Sequence, residues 1–168
     1  MRMKSILIIC LIMVLSGCQT SKDVSGDALA EMCNQYELAI CGDLQGDTYV
    51  DTSMEDIVLY TRNNFSYNQY IYTSDIQDGK DYYDYMYDTP MRGDCEDYVI
   101  TLMENLILLG MIGNGQAKWV FGKVGDINHA WLLVKKGDDE FLFDTYNRYG
   151  INVNGVSNYS YIFTVYEF

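Results

Sequence analysis

The stretch Arg92-Gly93-Asp94-Cys95-Glu96-Asp97-Tyr98 runs directly into apolar residues at helical spacing, Val99, Leu102, Met103, Leu106 and Leu109. Such spacing makes one face of a helix apolar, and that face needs a second layer to cover it. Asp94 is placed to cap the helix start and Gly110 to stop its end, which predicts a central helix from about Cys95 to Leu109. A thiol then sits at the helix N-terminus. Unpaired backbone N–H groups and the positive end of the macrodipole favour thiolate there, the form that attacks carbonyls. The 168-residue chain has one histidine, in Asn128-His129-Ala130-Trp131. Within reach of Cys95, it would complete a nucleophile and base.

The residues after Gly110 read as sheet. Ala117 to Val124, Asn128 to Lys136, Glu140 to Tyr146 and Tyr159 to Phe168 are rich in Val, Ile, Phe, Trp and Tyr and are separated by Gly, Asp and Asn. Upstream, Leu29, Met32, Cys33, Tyr36, Ala39 and Ile40 are spaced as a helix, and Ser53 with Asp56 resembles a capping box opening a second helix through Ile57, Val58, Tyr60 and Thr61. Between Phe65 and Tyr87 seven tyrosines lie among Asn, Asp and Gly without periodicity. They suit either the irregular wall of a groove or a surface segment packed on the core. Helices followed by antiparallel strands indicate an α+β domain, with the sheet packed on the helix that carries Cys95.

The hairpin between Asn128 and Tyr146 tests whether its polar residues converge. A two-residue turn at Gly137-Asp138 pairs Lys136 with Asp139 and sets Trp131 opposite Asp144. His129 and Asp144 are then diagonal neighbours on one face, with Cα atoms roughly 7–8 Å apart. A three-residue turn would put them on opposite faces. With Asp144 on one imidazole nitrogen and Cys95 at the other, the groups would serve as nucleophile, base and orienter. Each also has a plainer reading. Cys95 suits a buried core cysteine, His129 a structural histidine in a strand, and Asp144 the first residue of a loop.

At the N-terminus, Met1-Arg2-Met3-Lys4 precedes a short apolar run from Ser5 to Leu15, the pattern of a signal peptide over residues 1–17. It ends in Leu15-Ser16-Gly17-Cys18, which resembles the lipobox of bacterial lipoproteins and implies lipidation of Cys18. Gln19 stands where the enterobacterial sorting rule has Asp for inner-membrane retention, so the resemblance implies an outer-membrane anchor facing the periplasm. Residues 18–26 read as a lipidated tether and 27–168 as the folded domain. Of five cysteines, Cys33, Cys41 and Cys95 remain once Cys10 leaves with the signal and Cys18 takes lipid. The simplest division pairs Cys33 with Cys41 and leaves Cys95 free. Helical geometry resists it, because eight residues of helix rise about 12 Å and bridged Cα atoms lie about 4.4–6.8 Å apart. Loss of Arg2 and Lys4 leaves 9 Lys+Arg against 24 Asp+Glu, a formal −15. That balance argues against nucleic acid as a partner, and membrane contact is expected only through the lipid.

Gly93-Asp94-Cys95-Glu96-Asp97-Tyr98, a helix ending in Leu-x-x-Leu-Gly, Asn128-His129-Ala130 and Phe143-Asp144 together resemble the bacterial transglutaminase-like cysteine peptidases. The resemblance spans roughly residues 60 to 147. It implies a papain-related fold, a Cys95-His129-Asp144 triad and hydrolysis of peptide or amide bonds through a thioester. Tyr85-Met86-Tyr87-Asp88-Thr89-Pro90 resembles the family's approach to the nucleophile, without its usual Trp. The Cys95 backbone N–H should be one oxyanion donor, and Asn63, Asn64 or a nearby tyrosine are candidates for the second.

Asp94, Glu96 and Asp97 are like charges to a thiolate and oppose its formation. Helix capping accounts for part of their presence. Calcium, a hard cation that collects carboxylate oxygens, is expected on these three acids, as in calcium-dependent periplasmic members of the family. The leading expectation is a membrane-anchored thiol hydrolase acting on an envelope protein or peptide. Transglutaminase-type acyl transfer and a catalytically silent binding or exclusion lipoprotein are the alternatives. Cell-wall hydrolases of the NlpC/P60 type rank lower, because their nucleophile is followed by Ser-Gly where this chain has Glu96-Asp97.

Overall fold

The computed structural model describes residues 52–66, 68–74, 85–113, 115–155 and 157–167. The expected signal peptide, the Cys18 tether, the helix around Leu29 to Ile40, Cys33 and Cys41 lie outside the described residues, as do Tyr67, Tyr82 and Tyr83. Among the described residues no helix is long and apolar enough to cross a membrane.

The first described helix, α1, spans Met54–Asn64. Its start is the capping box expected from Ser53 and Asp56: the Ser53 hydroxyl accepts from the Asp56 N–H at 3.2 Å, and the Asp56 carboxylate accepts from the Ser53 N–H at 3.2 Å. Met54, Ile57 and Thr61 form its buried face. The Thr61 hydroxyl is satisfied there by donating to the Ile57 carbonyl at 2.8 Å.

The tyrosine-rich segment yields an element that periodicity did not signal. Strand β1, Tyr70–Tyr72, pairs in parallel with β2, Met91–Gly93, in the register Tyr70 to Met91 and Tyr72 to Gly93. Strand β2 feeds straight into the central helix, so its pairing fixes where the turn before Cys95 begins.

Helix α2 spans Cys95–Leu108. Its coverage is wider than the predicted stripe, since Tyr98 and Ile100 are buried along with Val99, Leu102, Met103 and Leu106. Leu109, expected on the apolar face, is instead the C-cap and 52% exposed. A helix apolar on most sides belongs at the centre of a fold rather than on its surface. One side packs on the sheet, and the other meets the segment from Tyr85, whose hydroxyl donates to Asn105 Oδ1 at 2.8 Å, while the Met86 N–H donates to Thr101 Oγ1 at 3.0 Å.

Five further strands follow among the described residues: β3 Ala117–Val124, β4 Ile127–Lys136, β5 Asp139–Phe143, β6 Ile151–Asn152 and β7 Tyr159–Glu167. They form one antiparallel sheet in the order β6-β5-β4-β3-β7. Period-two alternation sends Trp119, Phe121, Ala130, Leu132 and Val134 into the core with α2. On the other face Val120, Trp131 and Leu142 form a smaller cluster. Strand β5 stops at Phe143 rather than reaching Tyr146, because Asp144 turns the chain by accepting backbone N–H bonds from the residues ahead of it. The fold is α+β, with the helix that carries Cys95 packed on an antiparallel sheet.

Candidate active site

The turn before α2 is built around Gly93. A Cβ at this position would lie 2.5 Å from Asp97 Oδ2 and 2.6 Å from Asp97 Cβ, so the close approach requires glycine. The space it leaves lets the Asp97 carboxylate accept from the Asp94 N–H at 3.1 Å. Tyr70 braces the same turn from β1, its hydroxyl lying 2.9 Å from both the Gly93 and the Asp94 carbonyl oxygens, to which it donates. Burial, reinforced by the negative charges of Asp94 and Asp97, pushes the Tyr70 phenol well above its ordinary range. It therefore remains a donor.

Cys95 is fully buried at the start of α2. Its Sγ accepts the Ala130 N–H of β4 at 3.3 Å and lies 2.8 Å from Glu96 Oε2. The sulfur is disulfide-bonded, which overturns the division that left Cys95 free. The other cysteines of the chain are Cys10, Cys18, Cys33 and Cys41, and all lie outside the described residues. Sequence spacing gave reasons against a Cys33–Cys41 bridge but could not show which sulfur a folded chain would bring to the helix start.

Hairpin geometry supplies the next pair. Lys136 pairs with Asp139 across a turn containing Gly137 at φ +60°, and Leu132 pairs with Phe143. Trp131 therefore faces the position of Asp144, and His129 is its diagonal neighbour. The imidazole Nε2 lies 2.6 Å from Asp144 Oδ2, with both side chains fully buried. Holding Nε2–H to the carboxylate leaves the lone pair on Nδ1, which is buried and has no hydrogen-bond partner. The adjacent residue, Ala130, is the one whose N–H touches the Cys95 sulfur.

Asp144 is held at both oxygens. Oδ1 accepts from the backbone N–H groups of Tyr146 and Asn147, and Oδ2 accepts from His129 and from the Tyr159 hydroxyl. Around the imidazole stand Tyr146, 5.0 Å away between ring centroids, and Trp131 and Tyr159, both at 6.4 Å. Tyr146 is 55% exposed and forms the solvent side of this aromatic surround. Arg148 anchors the loop from below. Its guanidinium lies 4.7 Å from the centre of the Tyr70 ring, with Nε donating to the Thr145 carbonyl and Nη1 to the Tyr70 carbonyl. The Tyr98 hydroxyl of α2 donates to the Arg148 carbonyl at 3.1 Å.

The three acids beside Cys95 are all buried, but they do not act alike. Ligand atoms of Asp94, Cys95 and Glu96 lie within 4.8 Å of one another, whereas Asp97 is engaged in the helix cap. Asn63 and Asn64, expected near the site as oxyanion donors, are exposed at the end of α1. The Asn64 amide donates to the Tyr60 carbonyl of its own helix at 2.9 Å. The Asn64 amide is thus engaged within α1, and neither asparagine is buried with Cys95.

Sequence reasoning missed Tyr70, Arg148 and Tyr159. For Arg148 a signal was present, since it is the only Lys or Arg after Lys136 and a lone cation among acids invites a structural role. Tyr70 and Tyr159 were indistinguishable from the other tyrosines.

Comparison of the whole fold finds Legionella pneumophila LapG in its calcium-bound form, with a TM-score of 0.50 and 14% identity over 82% of this chain and 82% of that one. The chain shares its fold with LapG, a transglutaminase-like papain fold. Another LapG structure gives a TM-score of 0.48 at 14% identity, covering 86% of this chain and 82% of that one. EGTA-treated LapG gives 0.43 at 15% identity over 64% and 58%. No family model and no curated protein sequence matches the chain.

Proposed function

We propose that this protein is a cysteine peptidase or amidase of transglutaminase-like type, using Cys95, His129 and Asp144, that acts on an envelope protein from a lipid anchor at Cys18. The observation that carries the reading is the buried His129–Asp144 pair at 2.6 Å, with an unpartnered Nδ1 one residue from the backbone N–H that contacts the Cys95 sulfur. Likeness of fold to LapG supports it, and the lipobox resemblance supports the anchor.

Catalysis on this reading starts from the reduced thiol. The Cys95 S–H proton passes to His129 Nδ1 as Sγ bonds to the substrate carbonyl carbon, and the Cys95 N–H takes the developing oxyanion. As the C–N bond breaks, the imidazolium returns that proton to the leaving amine, giving a thioester. Water, deprotonated by Nδ1, then hydrolyses the thioester and restores the thiol. An amine in place of water would give acyl transfer. Throughout, Asp144 fixes the tautomer and stabilises the imidazolium. A silent binding or exclusion lipoprotein is the second reading, favoured by the disulfide on a fully buried Cys95.

The test is a comparison of envelope proteins from cells expressing the wild type and Cys95→Ala. A clipped or crosslinked product present only with the wild type is expected; identical profiles would favour the silent module.

Calcium belongs to this proposal as well. Consecutive buried carboxylates are costly unless a cation or proton neutralises them, and the convergent oxygens of Asp94 and Glu96 suit a hard divalent cation. Those two residues would hold it, and the ion would supply positive charge beside the nucleophile. A LapG structure of the same fold is calcium-bound. Saturating calcium is expected to raise the melting temperature by roughly 5–10 °C, the size of shift that about 100 Kd of ligand gives a domain of this length. EGTA should reverse the shift, and Asp94→Asn with Glu96→Gln should abolish it. A melting curve indifferent to both calcium and EGTA would remove the ion from the site.

A further inference from the structure

Asp144 Oδ2 is shared by two donors from different strands. His129 Nε2 reaches it at 2.6 Å from β4, and the Tyr159 hydroxyl reaches it at 2.5 Å from the first residue of β7. Strand β7 is not a neighbour of β4, because β3 runs between them. Gly122 of β3 pairs with His129, and paired residues share a face. The position beside the imidazole on β3 therefore carries no side chain, and the tyrosine can span the gap. A register irregularity between Phe121 and Lys123 marks the same place in the β3–β7 pairing.

The phenol is itself oriented. Asn147 Nδ2 donates to the Tyr159 oxygen at 2.7 Å, which leaves the hydroxyl proton for Asp144. Trp131 supports the ring edge-on at 5.2 Å. The result is one directed chain, from the Asn147 amide to the Tyr159 hydroxyl to the Asp144 carboxylate, with His129 donating to the same carboxylate oxygen. Burial first, and then the Asp144 charge, push the phenol far above its ordinary range, so it stays a donor wherever the site would operate.

We propose that Tyr159, oriented by Asn147, is a positioning residue that locks the Asp144 carboxylate onto His129 Nε2 and so fixes the imidazole with its lone pair on Nδ1. The proposal rests on the thiol-hydrolase reading for its purpose, although not for its geometry. Asp144 already takes two backbone bonds on Oδ1, and these alone leave Oδ2 free to be drawn away from the imidazole. Tyr159 closes that freedom from a strand outside the hairpin.

Tyr159→Phe removes only the hydroxyl and keeps the ring against Trp131. His129 is the only histidine, so in [15N]histidine-labelled protein the two ring-nitrogen resonances report its tautomer without assignment. The wild type is expected to show the Nε2–H form, and Tyr159→Phe a raised share of Nδ1–H in a protein whose melting remains cooperative. Asn147→Ala should move the resonances in the same direction and by less. In parallel, the reduced thiol of Cys95 should react with iodoacetamide about tenfold more slowly in Tyr159→Phe than in the wild type, the scale of losing one hydrogen bond to a charged group. Ring-nitrogen signals identical in the wild type and Tyr159→Phe would overturn the proposal whatever the rates. Unchanged labelling in His129→Ala would instead count against the hydrolase reading, while the tautomer spectrum still decides the role of Tyr159.

Discussion

Without reductant, Cys95 is expected to take up no iodoacetamide; after treatment with a dithiol, it should take up one equivalent. A sulfur in a disulfide is neither nucleophile nor leaving group toward an acyl carbon, and thiol–disulfide exchange is needed to restore the thiolate. Cys95 is disulfide-bonded, so the oxidised protein offers no thiolate there to alkylate. The change should be close to all-or-none and readable by mass spectrometry of the peptide containing Cys95. The non-reduced digest would also identify the partner, which is Cys33 or Cys41 if Cys18 carries lipid as proposed. Stoichiometric labelling of Cys95 in protein never exposed to reductant would show that the oxidised site is not the resting state.

Replacing Asp144 should have the second large effect, with two substitutions separating chemistry from stability. In Asp144→Ala the His129 Nε2–H, the Tyr159 hydroxyl and the N–H groups of Tyr146 and Asn147 lose their common acceptor. Removing one partner of a buried charged network typically costs about 3–5 kcal/mol, and a domain this size should melt roughly 10 °C or more lower. Asp144→Asn keeps the volume. With its carbonyl oxygen held by the two backbone N–H groups, its NH2 faces His129 and Tyr159, which forces Nε2 to accept and sends the imidazole proton to Nδ1. With Nδ1 as the proposed base, an imidazole already protonated there has no lone pair to take the thiol proton. Turnover, or the His129-dependent part of Cys95 alkylation, should fall on the order of 10³–10⁴-fold, with melting lowered by far less than in the alanine variant. An asparagine variant as reactive as the wild type would show that the carboxylate has only a packing role.

The parts of this site legible in the sequence were those governed by local rules. Helical period, Asp94 and Gly110 marked α2 to within one residue of its end, and the Ser53-Asp56 capping box marked the start of α1. Strand period and a two-residue turn brought His129 to Asp144, because register decides faces. Contacts set by the tertiary fold were not legible. The β1–β2 pair joins two three-residue strands, too short for a period to register, and parallel pairing depends on what lies across the fold. Tyr159 reaches Asp144 over an intervening strand, a relation with no imprint in spacing. Asn63 and Asn64 looked suitable by residue type, but α1 runs through both and turns them outward.

Tyr70 and Arg148 have a consequence for anyone wishing to move this site elsewhere. The turn before Cys95 hangs from the Tyr70 hydroxyl, and the loop after Asp144 hangs from an arginine stacked on the same ring and bonded to the same residue's carbonyl. One side chain outside the proposed triad is thus the shared datum from which both halves are measured. A graft that carried only Cys95, His129 and Asp144 would place the three proposed groups on supports with no common origin. A portable version has to include Tyr70 and Arg148, and with them the short parallel strand pair that holds Tyr70 at its height.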